Sequence, residues 1–131
     1  MQLVKTIIVT TLVFLSMDAI WLGYLGKQLY LSQMGTFLRL NNGAIQANYF
    51  AAAIVYLALI AGIIFFVLPK AQGNVAAALG WGALFGFVCY ATYDFTNLAI
   101  VKSWPLWLSI IDVIWGCVIC GVTSAVTTWL K

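Results

Sequence analysis

Long apolar runs separated by short polar interruptions organise this chain. Four stretches, about Leu3 to Leu25, Ala44 to Leu68, Val75 to Ile100 and Pro105 to Leu130, are predominantly apolar. Each reaches the roughly 20 residues a helix needs to cross the hydrocarbon of a bilayer. A helix satisfies its own backbone there, whereas a β-barrel would show strands of about ten residues alternating between apolar and polar positions. That alternation is absent from the sequence. The pattern predicts an all-α, polytopic membrane protein, a single transmembrane domain over residues 1–131 built as a bundle of four transmembrane helices. Lys5 ahead of an apolar run imitates a secretory signal, but the run is long for one and no small-x-small cleavage site precedes Asp18. The first run therefore reads as a transmembrane helix.

The interruptions carry turn and cap chemistry. Gly23 to Gly26 and Lys27 close the first helix at the interface. The connection from Lys27 to Gly43 is the long one. Wound as a helix, it sets Tyr30, Met34, Phe37 and Leu38 against Gln28, Ser32, Gly35, Arg39 and Asn42, as a short helix lying in the interface plane would. Gly35 weakens such a helix, so a partly ordered loop is the other reading. Asn41-Asn42-Gly43 suits a turn capping the second helix, and Pro69-Lys70 suits its stop. Gly73 and Asn74 fit a helix end and the next start, Ser103 is a candidate cap, and Pro105 fits a first helical turn.

Composition agrees with this reading. With 65% hydrophobic and 7% charged residues, and a mean hydropathy of +1.08, too little polar surface remains for a soluble domain. The six basic residues sit at or between the ends of the runs, as interfacial anchors, and form no patch for nucleic acid. Lys5, Lys70 and Lys131 fall on the N-terminal side, here called A, and Lys27, Arg39 and Lys102 on the opposite side, B. This tie leaves orientation open and permits an antiparallel homodimer. The chain has no histidine, which removes the usual haem ligand, the commonest zinc ligand and the usual general base. Cys89, Cys117 and Cys120 all fall inside spans, and the isolated Cys117/Cys120 pair reads as packing thiols. Neither a metal nor a cofactor is expected; membrane lipids are the expected partners.

The three acidic residues, Asp18, Asp94 and Asp112, all lie inside apolar segments. A charged residue at such depth costs about 2.5–3.5 kcal/mol on insertion scales. Counted from the helix ends, each lies about seven residues, or roughly 10 Å, below the B surface. They share that level with Trp21, Tyr90, Tyr93, Thr96, Asn97, Trp115 and Asn48 as candidate ligand- or proton-binding groups. Close carboxylates without a counter-ion cannot all stay ionised, so at least one carries a proton. A cation held by them would need six or more oxygen ligands, more than can be named here. In the third helix Ala78, Gly82 and Gly86 lead at four-residue steps to Tyr90 and Asp94, and Gly116 lies one turn beyond Asp112. Such small residues let a neighbouring helix backbone approach closely.

The first and last helices share an Asp-x-Ile-Trp element, Asp18 to Trp21 and Asp112 to Trp115. Met17-Asp18 with Trp21-Leu22-Gly23, then Thr92-Tyr93-Asp94-Phe95-Thr96-Asn97-Leu98-Ala99 ahead of Trp104-Pro105, then Asp112 with Trp115-Gly116, resembles a bacterial family of small inner-membrane proteins known only as a domain of unknown function. That family more often carries Leu at position 95. The resemblance covers nearly the whole chain and implies four helices in a bacterial cytoplasmic membrane. It implies no activity.

Three functions compete. The first is binding or transport of a lipid or amphipathic small molecule at the acidic level. The second is an intramembrane enzyme that modifies a lipid, with Asp as general acid or base. The third is an assembly subunit whose aspartates, held by Trp, Tyr and Asn donors, glue helices together. Size and helix count match the small multidrug-resistance transporters, but their membrane carboxylate is a Glu of the first helix and the rest of their pattern is missing, so that likeness is one of fold.

Overall fold

The computed structural model describes residues 2–25, 40–41, 44–45 and 49–130. Four helical spans are long and apolar enough to cross a membrane: Gln2–Tyr24, Tyr49–Ala71, Val75–Ile100 and Leu106–Trp129. They make the chain an all-α, multi-pass bundle. The interfacial helix or loop expected after the first span lies largely outside the described residues.

The outside of the bundle is apolar, and its polar side chains are drawn into the interior beside an apolar cluster. Leu12, Phe66 and Ile100 are exposed, while Thr10, Asp94, Ser109, Thr123, Ser124 and Thr127 are buried. In lipid an outward Leu loses nothing, whereas an unsatisfied polar group loses several kcal/mol, so the hydroxyls turn inward and bond. Thr10 pairs with Thr127 across spans one and four at 3.1 Å. Ser124 donates to the Cys120 carbonyl at 2.7 Å. Cys120 lies in the apolar cluster with Phe14, Ile60, Ile63 and Ile119, as a packing thiol does.

Spans three and four pack along their length, while spans one and two meet far more loosely. The tight pair is made by glycine. A Cβ at Gly86 would strike the Gly116 carbonyl, and one at Gly82 would lie 2.6 Å from the Cys120 oxygen. Gly116 in turn accommodates the Tyr90 ring, and a Cβ on Gly62 would strike Phe85. Gly82 and Gly86 therefore pack against the fourth span, and Ala78, on the same stripe, is fully buried.

Three helix ends differ from the expected ones. The described part of the second span opens at Tyr49, not Ala44. Ala44–Ile45 instead pairs antiparallel with Leu40–Asn41, so those backbone groups are engaged outside the helix. The same span runs through Pro69 to Ala71. Ile63–Val67 is a π-helical turn in which Leu68 N–H reaches the Ile63 carbonyl, and Pro69 then falls in the first turn of Leu68–Ala71, where its missing N–H is tolerated. Ser103 is not a cap: it has φ +67° within the turn, and Pro105 holds the N-cap position of Leu106–Trp129. Asn74 does cap the third span, its Oδ1 accepting from Ala77 N–H at 2.9 Å, just after Gln72 and Gly73 turn the chain with positive φ.

Candidate functional site

The helix ends set the depth of each polar side chain. Asp18 lies seven residues before Leu25, Asp94 six before Ile100, and Asp112 six after Leu106. At 1.5 Å per residue, all three sit roughly 10 Å from the B end of their spans. Tyr56, seven residues after Tyr49, lies at the same depth on span two. Counted from Ala44, where the apolar run begins, Tyr56 would fall some five residues deeper, and Asn48 was the residue of this span expected at the acidic level. Asn48 lies outside the described residues.

At this level a cavity of about 290 Å³ opens between spans one and two, lined by residues of all four spans. Asp18 and Trp21 come from span one, Tyr56 and Val55 from span two, Tyr90 from span three, and Asp112 and Trp115 from span four. Asp18 is buried and held at both oxygens: Tyr56 Oη–H donates to Oδ2, and Trp115 Nε1–H donates to Oδ1 at 3.3 Å. The Trp115 ring stacks on Trp21 with centroids 4.7 Å apart and planes 10° from parallel. The two Asp-x-Ile-Trp elements thus meet: the tryptophan of the second bonds the aspartate of the first and lies flat on its tryptophan.

Asp94 occupies a different setting. It is 2% exposed, and its carboxyl lies within hydrogen-bonding reach of Asp112 across the tight third and fourth spans. Its Oδ2 has no hydrogen-bond partner among the described residues. Asp112 therefore stands between the two settings, paired with Asp94 on one side and exposed to the cavity shared with Asp18 on the other. The three aspartates form no metal cluster; among the described residues no group of three His, Cys, Asp or Glu side chains could hold an ion.

The remaining candidates divide by helical face. Tyr90, one turn before Asp94, lines the cavity. Tyr93 is exposed, packs edge-on against Trp104 at 6.0 Å and bonds Asn97, while Thr96 is exposed. Positions 93 and 96 are turned about 100° and 160° from Asp94 around the helix, which carries them off the cavity wall, whereas Asn97, about 60° from Asp94, keeps to its face but lies two turns nearer the B end than Tyr90 and does not line the cavity. Their density in sequence around Asp94 reflects proximity along the chain. Tyr56 was missed because its depth depends on where span two begins. The interior hydroxyls Ser109, Thr123, Ser124 and Thr127 were missed as well, although their recurrence on one face of span four is a legible signal.

No curated protein and no solved structure matches the chain. One family model does, over residues 3–129, and it takes in every span and each of the three aspartates. The chain belongs to the family described as predicted membrane protein DUF2177.

Proposed function

We propose that this chain binds a lipid or amphipathic small molecule, in a bacterial cytoplasmic membrane, at the cavity between spans one and two. The observation that carries the reading is the cavity wall: two carboxyl groups and two stacked indoles from spans one and four, with a phenol each from spans two and three, converge on one opening in the loosely packed side of the bundle. Binding sites are concave, largely apolar and supplied with a few convergent polar groups. At about 290 Å³ the cavity is at the small end of the range for ligand sites, about 300–1,000 Å³, and suits a head group and its first carbons. Leu22 and Val55 on its rim are exposed, which gives an alkyl chain a path to lipid.

Native mass spectrometry in mild detergent tests the reading. Wild type is expected to carry a discrete adduct that Ala52→Trp, which fills the cavity from span two, loses. An adduct that persists in the variant would place the molecule elsewhere.

A structural role has support at one residue. Both oxygens of Asp18 are bonded to side chains of other spans, so Asp18 ties spans one, two and four together whatever the cavity holds.

A further inference from the structure

The cavity wall also speaks to the charge of its occupant. Its lining contains carboxyl groups and aromatic rings, and no basic side chain among the described residues. Lys5, Lys70 and Lys102 stand at or near span ends, with Lys70 over the Trp81 ring at 5.0 Å. Asp18 consumes the Tyr56 hydroxyl and the Trp115 indole N–H, and the Asp94 Oδ2, buried beside the cavity-lining Asp112, has no donor among the described residues. Two carboxyl groups in contact need a proton or a cation between them. Meanwhile Trp21, Trp115, Tyr56 and Tyr90 place aromatic rings around the opening, and a cation within about 6 Å of a ring centroid is attracted to its face.

We infer that the ligand is an amphiphile with a primary ammonium head, whose N–H groups meet Asp112 at the cavity wall, the member of the acidic pair that lines it, while the aromatic wall surrounds its charge and its alkyl chain leaves past Leu22 and Val55. The inference rests on the cavity being a binding site. An anionic head would meet two carboxyl groups without a counter-charge. A neutral head would leave the acidic pair as it stands. A quaternary ammonium would engage the rings but has no N–H for the Asp112 carboxyl group on the wall.

The test is saturable binding to the full chain in lipid nanodiscs, read by tryptophan fluorescence and calorimetry against empty discs, with decylammonium, decyltrimethylammonium, decanol and decanoate as probes. Decylammonium is expected to bind one per chain, at least tenfold tighter than decanol and at least fivefold tighter than decyltrimethylammonium, with decanoate failing to compete. Asp112→Asn should weaken decylammonium at least tenfold, and Asp112→Glu should retain it. Equal binding of decanol and decylammonium would overturn the ammonium assignment while leaving an amphiphile site in place. Equal binding of the trimethyl probe would overturn the primary amine. No saturable binding of any probe would remove both the inference and the site it rests on. Should the Asp112 variants fail to fold, the wild-type probe series decides alone.

Discussion

Replacing Gly86 by alanine asks whether the backbone contact between spans three and four sets the acidic site. The added methyl would meet the carbonyl carbon and oxygen of Gly116 and the amide nitrogen of Cys117. These are helix backbone atoms and cannot rotate away as a side chain does. At Gly82, one turn earlier, the added carbon would lie 2.6 Å from the Cys120 oxygen, 0.8 Å inside the 3.4 Å at which ordinary contact begins. The clash at Gly86 is tighter still, so the two spans must part. Overpacking of this kind costs about 1–3 kcal/mol. Alanine returns up to about 1 kcal/mol through helix propensity, and less where the unfolded state in detergent keeps its helices. The net expectation is a loss of about 1–2 kcal/mol. Gly80 on the same span has nothing within 4 Å of the added carbon, so Gly80→Ala should be neutral or gain up to about 1 kcal/mol. The difference of about 2 kcal/mol corresponds to about thirtyfold in the folding equilibrium. It is measured by SDS-titrated unfolding in bicelles followed by circular dichroism. Because Asp94 lies two turns beyond Gly86 and Asp112 one turn before Gly116, Gly86→Ala should also weaken any ligand that depends on the carboxyl pair. A Gly86→Ala variant as stable as Gly80→Ala would refute the close contact.

Other expectations follow from single contacts. Tyr56→Phe leaves the Asp18 Oδ2 without its phenol donor and should lower stability by about 0.6–1.7 kcal/mol, from the average to the largest value found for hydrogen bonds between membrane helices; an unchanged unfolding midpoint would show that bond to be dispensable. Asn74→Ala removes the cap on Ala77 N–H and should cost about 1 kcal/mol in the same assay, whereas Asn74→Asp should keep most of the stability. The tie of three basic residues on each side predicts that a reporter fused after Lys131 reads both faces of the membrane; a one-sided readout would exclude dual insertion.

The acidic level was legible because a helix converts residue count into depth at a fixed rise, so Asp18, Asp94 and Asp112 could be ranked against the span ends before any packing was known. The same arithmetic misplaced span two, where the apolar run began several residues before the described helix. That offset put Asn48 at the level of Tyr56. The crowd of polar residues from Tyr90 to Asn97 illustrates a different limit, since neighbours in sequence point to different sides of a helix and only Tyr90 joins Asp18 and Asp112 on the cavity wall.

Run lengths and polarity were enough to establish four membrane helices, since nothing but a helix meets its backbone hydrogen bonds alone in hydrocarbon. The small-residue stripe of span three likewise announced a close helix contact. Which helix lay against it, how Trp21 came to stack on Trp115, and that Asp112 sits between Asp94 and the cavity were matters of packing. The rotation and crossing of each helix are set by contacts between residues distant in the chain, and periodicity within one span carries no information about them.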